Sequence, residues 1–274
     1  MPDTLSEHPA PPEPMAATPM GKVYLVGAGP GAADLITVRG ARLLATAGIV
    51  LHDALVEPEM LEHAPQARKV AVGKRCGQRS TAQQFINRQI VDAARRHAVV
   101  VRLKGGDPML FGRADEEMRA LEAAGIDYEV VPGITAALAG AASLQRSLTL
   151  RGVARSVALA THSRAADTEA IREQVKADSL VFYMGRDSAP EIAQQLLDAG
   201  RPGTTPVALV EACSTPRERT LTLTLAALAA GEAQTWLDPS QPSLLMIGEA
   251  FAERAQAAAG MTVQAGTAAL QQAA

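Results

Sequence analysis

Between residues 22 and 251, short apolar runs alternate with longer stretches in which apolar residues recur every three or four positions. The runs at 23–26, 49–52, 69–72, 99–103 and 128–131 predict strands, because a few consecutive β-branched or aliphatic residues suit a strand covered on both faces. The stretches between them predict helices over 34–47, 58–63, 81–96 and 112–124. The 81–96 segment has the clearest pattern: Ser80 or Thr81 can cap it, and Phe85, Ile86, Ile90 and Ala93 recur at helical spacing. Regular alternation of this kind predicts a parallel-rich sheet with helices on its faces.

Pro132-Gly133 punctuates this half, and a helix over 135–144 opens the next. Strands follow at 156–160, 180–183 and 207–210, with helices over 168–175 and 189–199. Past Thr215-Pro216 the rhythm changes. Residues 219–225 alternate Thr with Leu, the pattern of a half-exposed strand, and 244–247 form a last apolar run. Adjacent strands without an intervening helix predict antiparallel members. The expected fold class is α/β, with two α/β domains, a parallel-rich N-terminal sheet and a mixed C-terminal sheet. The expected divisions are a tail over 1–19, domains over 20–133 and 134–251, and a second tail over 252–274.

Composition narrows the function classes. The chain has 274 residues, 47% hydrophobic but only 3% aromatic, so aliphatic side chains must fill its core. Cys76 and Cys213 are too few for a disulfide framework or a zinc site, which predicts a reducing compartment and no metal. The proline-rich first nineteen residues lack the basic and apolar regions of a signal peptide. No apolar run approaches the roughly 20 residues needed to span a bilayer, and a cytoplasmic protein with no membrane partner is expected. The net charge of -3 resides in the N-terminal tail, whereas residues 68–119 hold twelve Lys/Arg against five Asp/Glu. A basic segment inside a neutral globule suggests a local anionic ligand, not nucleic acid, which would ask for a domain basic as a whole.

The candidate chemistry gathers where predicted strands end. Gly105, Gly106 and Pro108 turn the chain at the C-terminal edge of the 99–103 strand, where open α/β sheets bind ligands. Asp107, Arg113 and Glu116 arrive there together. Arg113 and Glu116, three apart on a predicted helix, can pair, while Glu116 and Glu117 complement its dipole. Asp107 has no evident core or capping duty. Gly27-Ala-Gly-Pro-Gly31 resembles a dinucleotide loop but fits poorly: Pro30 removes a backbone donor and the third glycine comes one residue early. Asp53 ends the next strand, where a nicotinamide enzyme would hold a ribose. Thr135 reads equally as an N-cap and as a ligand contact.

Taken together these motifs resemble the tetrapyrrole methylases, most closely their uroporphyrinogen-III C-methyltransferase branch. The resemblance covers about 21–251. It rests on Val26-Gly-Ala-Gly-Pro-Gly31 with Asp34 and Thr37, Gly73-Lys-Arg75, the run from Gln83 to Asn87, and above all Val101 to Arg113 with Glu116-Glu117. Val131 to Ala136, Phe182-Tyr-Met-Gly185 and Thr205-Pro206 add to it. The resemblance implies a homodimer that binds S-adenosylmethionine between two domains and methylates C2 and C7 of uroporphyrinogen III, giving precorrin-2 for sirohaem, cobalamin or haem d1. Carried over by position, the cosubstrate would touch Pro30, Gly105, Gly106, Asp107, Leu110, Thr135, Ala136, Met184 and Cys213. Arg113, Glu116 and Arg151 would serve the macrocycle. The departures fall on the substrate side: Gln145-Arg-Ser-Leu-Thr-Leu-Arg151 stands where the family usually has Gly-Ile-Pro-Leu-Thr-His-Arg, and Ala114-Asp115 replaces Gly-Gly. They leave as alternatives a methylase of a later precorrin and a tetrapyrrole-binding paralogue.

Overall fold

A computed structural model describes residues 20–72, 81–162 and 176–252. The tail over 1–19, the motifs Gly73-Lys-Arg75 and Gly77 to Ser80, the helix expected over 168–175 and the tail beyond 252 lie outside the described residues.

Five strands form the first sheet: β1 (Lys22–Gly27), β2 (Ile49–His52), β3 (Arg68–Ala71), β4 (Val99–Lys104) and β5 (Tyr128–Val131). All pair in parallel, in the order β3-β2-β4-β1-β5. Strand β4 shows why its sequence reads as a buried run. Val101 and Leu103 pack on one face with Leu44 of α1 (Val38–Thr46) and Met60. Val100 packs on the other with Ile86 and Ile90 of α2 (Thr81–Ala94) and Leu121 of α3 (Ala114–Ala123). Successive strand side chains alternate faces, so Arg102 and Lys104 also point toward α2 and α3.

The second sheet runs β6-β7-β10-β8-β9, from β6 (Val157–Thr161), β7 (Ser179–Tyr183), β8 (Pro206–Glu211), β9 (Arg219–Thr224) and β10 (Ser243–Ile247). Only β6 and β7 pair in parallel, so the sheet is mixed as expected. Helices α5 (Ala189–Asp198) and α6 (Leu225–Ala229) cover one face. Helix α4 (Ala136–Ser143) and Phe251 cover the other.

Three elements differ from the sequence pattern. The helix expected over 34–47 divides into a 3-10 turn (Ala33–Leu35) and α1, because the Thr37 side chain accepts a hydrogen bond from the Gly40 amide and starts a new helix. The helix expected from 112 begins at Ala114, since Phe111 and Arg113 are left-handed, with φ of 53° and 54°. The strand expected over 219–225 stops at Thr224, which caps α6 by accepting from the Ala227 amide. That helix is too short for its period to be read from sequence.

Candidate active site

Three loops at the C-terminal edge of the first sheet meet backbone to backbone, beside the point where β1 and β4 lie adjacent and their crossovers leave in opposite directions. Gly29 and Gly106 form an antiparallel bridge: the Gly106 amide donates to Gly29 O at 2.7 Å and the Gly29 amide to Gly106 O at 3.2 Å. Gly133, after β5, closes on both loops. A Cβ at Gly133 would stand 2.3 Å from Gly106 O and 2.8 Å from Gly27 Cα, so no side chain fits. At Gly106 (φ +67°) a Cβ would meet nothing within 4 Å, so open space lies above that peptide.

Asp107 clamps this crossing. Its Oδ2 accepts from the Gly133 amide at 2.9 Å and its Oδ1 from the Met109 amide at 2.8 Å. The expectation that Asp107 lacked a structural duty is therefore corrected: besides the local turn to Met109 it holds a partner 26 residues away, out of reach of local pattern.

The second half supplies the facing wall. Tyr183, at the end of β7, has its hydroxyl 2.6 Å from Thr135 Oγ1 and accepts from the Ala137 amide at 2.9 Å. Thr135 occupies the N-cap position of α4, but Tyr183 satisfies the helix amide in its place. Burial lifts the Tyr183 hydroxyl above its ordinary pKa. Its ring packs tilted on Phe111, with centroids 5.2 Å apart, which joins the two halves. Met184 follows with φ +53° and is 55% exposed. On the other flank the loop after β8 meets Gly31, where a Cβ would lie 2.8 Å from Cys213 O, and the Ala32 amide donates to Ser214 Oγ at 3.1 Å. Burial, then Glu218, push the Cys213 thiol up to about 11.

Pro30, Gly105, Gly106, Asp107, Thr135, Ala136, Met184 and Cys213 thus lie on loops that contact one another, with half-buried Leu110 on the loop between Asp107 and Phe111. Arg113 and Glu116 form a two-bonded fork, Nε to Oε1 at 2.6 Å and Nη2 to Oε2 at 2.8 Å, with about half of each side chain exposed. Arg151 is on the exposed turn bridged by Leu150 and Ala154, and has no ion-pair partner among the described residues. The substituted stretch at Gln145, Arg146 and Ser147 lines a groove of about 640 Å³ that adjoins Thr135. Among the described residues no three His, Cys, Asp or Glu side chains are placed to hold a metal.

The glycine-proline loop does not serve as a dinucleotide loop here. It leads into a 3-10 turn and not directly into a helix, and Asp53 is held by Arg102 Nη2 at 2.5 Å.

Sequence reasoning missed a buried charge cluster under the site. Arg102, Lys104 and Glu117 are each no more than 2% exposed. Glu117 Oε1 accepts from Arg102 Nε at 3.0 Å, and Lys104 Nζ donates to both Glu117 oxygens at 3.1 Å. Desolvation and the neighbouring Arg102 lower the Lys104 pKa, with Glu117 opposing them. Burial also works against the Arg102 charge, but Asp53 and Glu117 outweigh it and its pKa lies above the ordinary value. One signal was available. Two cations at alternate positions of a strand with both faces covered require a buried anion, and Glu117 sits on the next helix.

Comparison with known proteins accords with this geometry. A family model described as Tetrapyrrole (Corrin/Porphyrin) Methylases matches residues 22–229. A uroporphyrinogen-III C-methyltransferase of Pseudomonas aeruginosa is 45% identical over 231 residues, which cover 84% of this chain and 94% of that protein. A siroheme synthase of Stutzerimonas stutzeri is 43% identical over 86% of this chain, but the match spans only 51% of that longer protein. The uroporphyrin-III C-methyl transferase of Thermus thermophilus, solved in complex with S-adenyl homocysteine, superposes with a TM-score of 0.74 at 40% identity, covering 84% of this chain and 98% of that one.

Proposed function

The chain belongs to the tetrapyrrole (corrin/porphyrin) methylases, and on that premise we propose that it is an S-adenosylmethionine-dependent methyltransferase converting uroporphyrinogen III to precorrin-2 by methylation at C2 and C7. The observation that carries the reading is the glycine crossing, with open space over Gly106, in a chain 40% identical to an enzyme solved with S-adenyl homocysteine.

The residues present suit the donor. Gly105 and Gly106 offer bare backbone to a folded ligand, Leu110 and Met184 offer apolar contact, and Thr135 and Ala136 close the far side. When bound, S-adenosylmethionine supplies an electrophilic methyl group on a sulfonium. The protein's part is alignment, which can lower the barrier of such a transfer by roughly 7 to 11 kcal/mol. Arg113 and Arg151 offer guanidinium forks suited to the acetate and propionate groups of the macrocycle. Glu116 keeps the Arg113 fork in one orientation and is the exposed carboxylate available to pyrrole N–H groups. Arg113 orients and polarises the substrate and does not act as a base, given the high pKa of guanidinium.

The division into domains near Gly133 is supported by the change of sheet between β5 and β6. The same reading makes the protein a cytoplasmic homodimer. Exposed Leu138 of α4 with Val157 and Leu159 of edge strand β6 form a surface that a second copy would cover. Light scattering on the purified protein measures that state.

The test of function is anaerobic incubation with methyl-labelled S-adenosylmethionine and enzymatically made uroporphyrinogen III. Label is expected in the macrocycle, two methyls per ring at completion. Binding of both compounds without transfer would overturn the assignment in favour of a tetrapyrrole-binding paralogue.

A further inference from the structure

The cluster of Arg102, Lys104 and Glu117 has no evident value as a source of stability. Removing charges from water is costly, and well-packed apolar side chains often serve a core as well or better. The same face of the sheet is already packed by Val100, Ile86, Ile90 and Leu121. The charges occupy only its end nearest the glycine crossing, where β4 leaves the sheet.

What the cluster touches there is specific. Glu117 is the fourth residue of α3 and fully buried. Gln83 Nε2, on α2, reaches Glu117 Oε1 at 3.4 Å and Asn87 Oδ1 at 2.9 Å. Asn87 Nδ2 in turn donates to the backbone oxygen of Glu116 at 3.1 Å. The first turn of α3 is therefore gripped through a side chain and through its main chain. The Lys104 stem runs under the preceding turn, where a Cβ on Gly112 would stand 3.1 Å from Lys104 Cε and 2.8 Å from Pro108 O. Gly112 lies between two left-handed non-glycine residues, Phe111 and Arg113. Such conformations persist only when their surroundings over-determine them, and the cluster supplies that constraint from below.

We propose that Glu117 and Lys104, tied to α2 through Gln83 and Asn87, are positioning residues that hold the Phe111-Gly112-Arg113 turn and thereby aim the Arg113–Glu116 fork at the macrocycle. This inference rests on the reading that Arg113 serves the substrate. It assigns no contact with substrate to Glu117 or Lys104, both of which are closed to solvent.

The experiment compares wild type, Lys104→Met/Glu117→Gln and Asn87→Ala in three measurements: steady-state methyl transfer, calorimetric affinity for S-adenosylhomocysteine, and urea unfolding. The double substitution removes both charges and so leaves no unpaired Lys104 or Glu117. The expected result is at least a tenfold rise in KM for uroporphyrinogen III, or an equal fall in kcat, with affinity for S-adenosylhomocysteine within twofold of wild type. Asn87→Ala, which disturbs no buried charge, is expected to show the same effect at about a third of its size. An Arg113→Lys background separates a positioning role from a merely structural one. If the cluster acts through Arg113, its substitution costs far less there; if the losses multiply independently, the proposal is overturned. Should the double variant fail to fold, an unchanged KM and kcat in Asn87→Ala overturns it. Arg113→Lys with wild-type KM and turnover would instead overturn the role of Arg113, a separate failure.

Discussion

The glycine crossing allows steric and ligand-binding demands to be separated by two substitutions a few ångströms apart. In Gly133→Ala the new methyl would stand 2.3 Å from Gly106 O, so the loops after β4 and β5 must part by about 1 Å, at an overpacking cost of roughly 1 to 3 kcal/mol. Parting them also breaks the bond from the Gly133 amide to the Asp107 carboxylate, 2.9 Å long, and a hydrogen bond to a charged group contributes about 1.5 to 3 kcal/mol. The total, roughly 3 to 6 kcal/mol, is a large share of the ~5 to 15 kcal/mol that holds a typical protein folded. Gly106→Ala meets no atom, but its φ of +67° imposes about 1 to 2 kcal/mol of left-handed strain, and its methyl enters the space assigned to the methyl donor. Urea unfolding followed by circular dichroism, with calorimetric titration of S-adenosylhomocysteine, measures both. With a slope of ~2 to 3 kcal/mol/M, Gly133→Ala should lower the midpoint by about 1 M or more. Gly106→Ala should lower it by about half that, while weakening S-adenosylhomocysteine binding at least tenfold, ~1.4 kcal/mol or more. A Gly133→Ala protein with the wild-type midpoint would refute the tight crossing. Unchanged affinity in Gly106→Ala would refute the placement of the donor.

Asp178 accepts from the amides of Arg155 and Ser156 and from the Ser156 hydroxyl, bonds that hold its pKa below the ordinary 3.8. A depressed carboxylate stabilises the fold fully above its unfolded pKa and loses that contribution as pH falls through its folded pKa. The gap in urea midpoint between wild type and Asp178→Asn should therefore be constant near neutrality and narrow below about pH 4; a gap that widens there would contradict the assignment. Cys213, with its pKa pushed from 9.0 to about 11, should alkylate about a hundredfold more slowly at pH 8 in the folded protein than in urea, read by mass spectrometry in a Cys76→Ser background. Equal rates would show the thiol to be open. Gln145 holds φ +53°, a left-handed conformation that glycine adopts without strain, so Gln145→Gly should leave stability unchanged or raise it by up to about 1 kcal/mol. A loss of more than ~1 kcal/mol would mean that the Gln145 side chain contributes packing.

Much of this molecule is legible in its sequence because the signals are local. Apolar runs at 23–26 and 99–103 mark strands between helices, the Thr and Leu alternation in β9 marks a half-exposed strand, and Gly105, Gly106 and Pro108 mark a turn where α/β sheets bind ligands. The spacing of Arg113 and Glu116 foretells their fork. What it does not carry is partnership across long separations. Hydropathy scores Arg102 and Lys104 as surface residues whether they face water or a buried Glu117. Asp107 gains its long-range partner only when β5 brings Gly133 beside it, and Thr135 yields its capping duty to Tyr183, 48 residues on. Backbone propensity and side-chain period act within a few residues, so sequence alone determined the elements and the loops that carry chemistry. The free energy of a buried charge or an unsatisfied amide depends on whatever the fold sets against it, and only the tertiary structure decided those pairings.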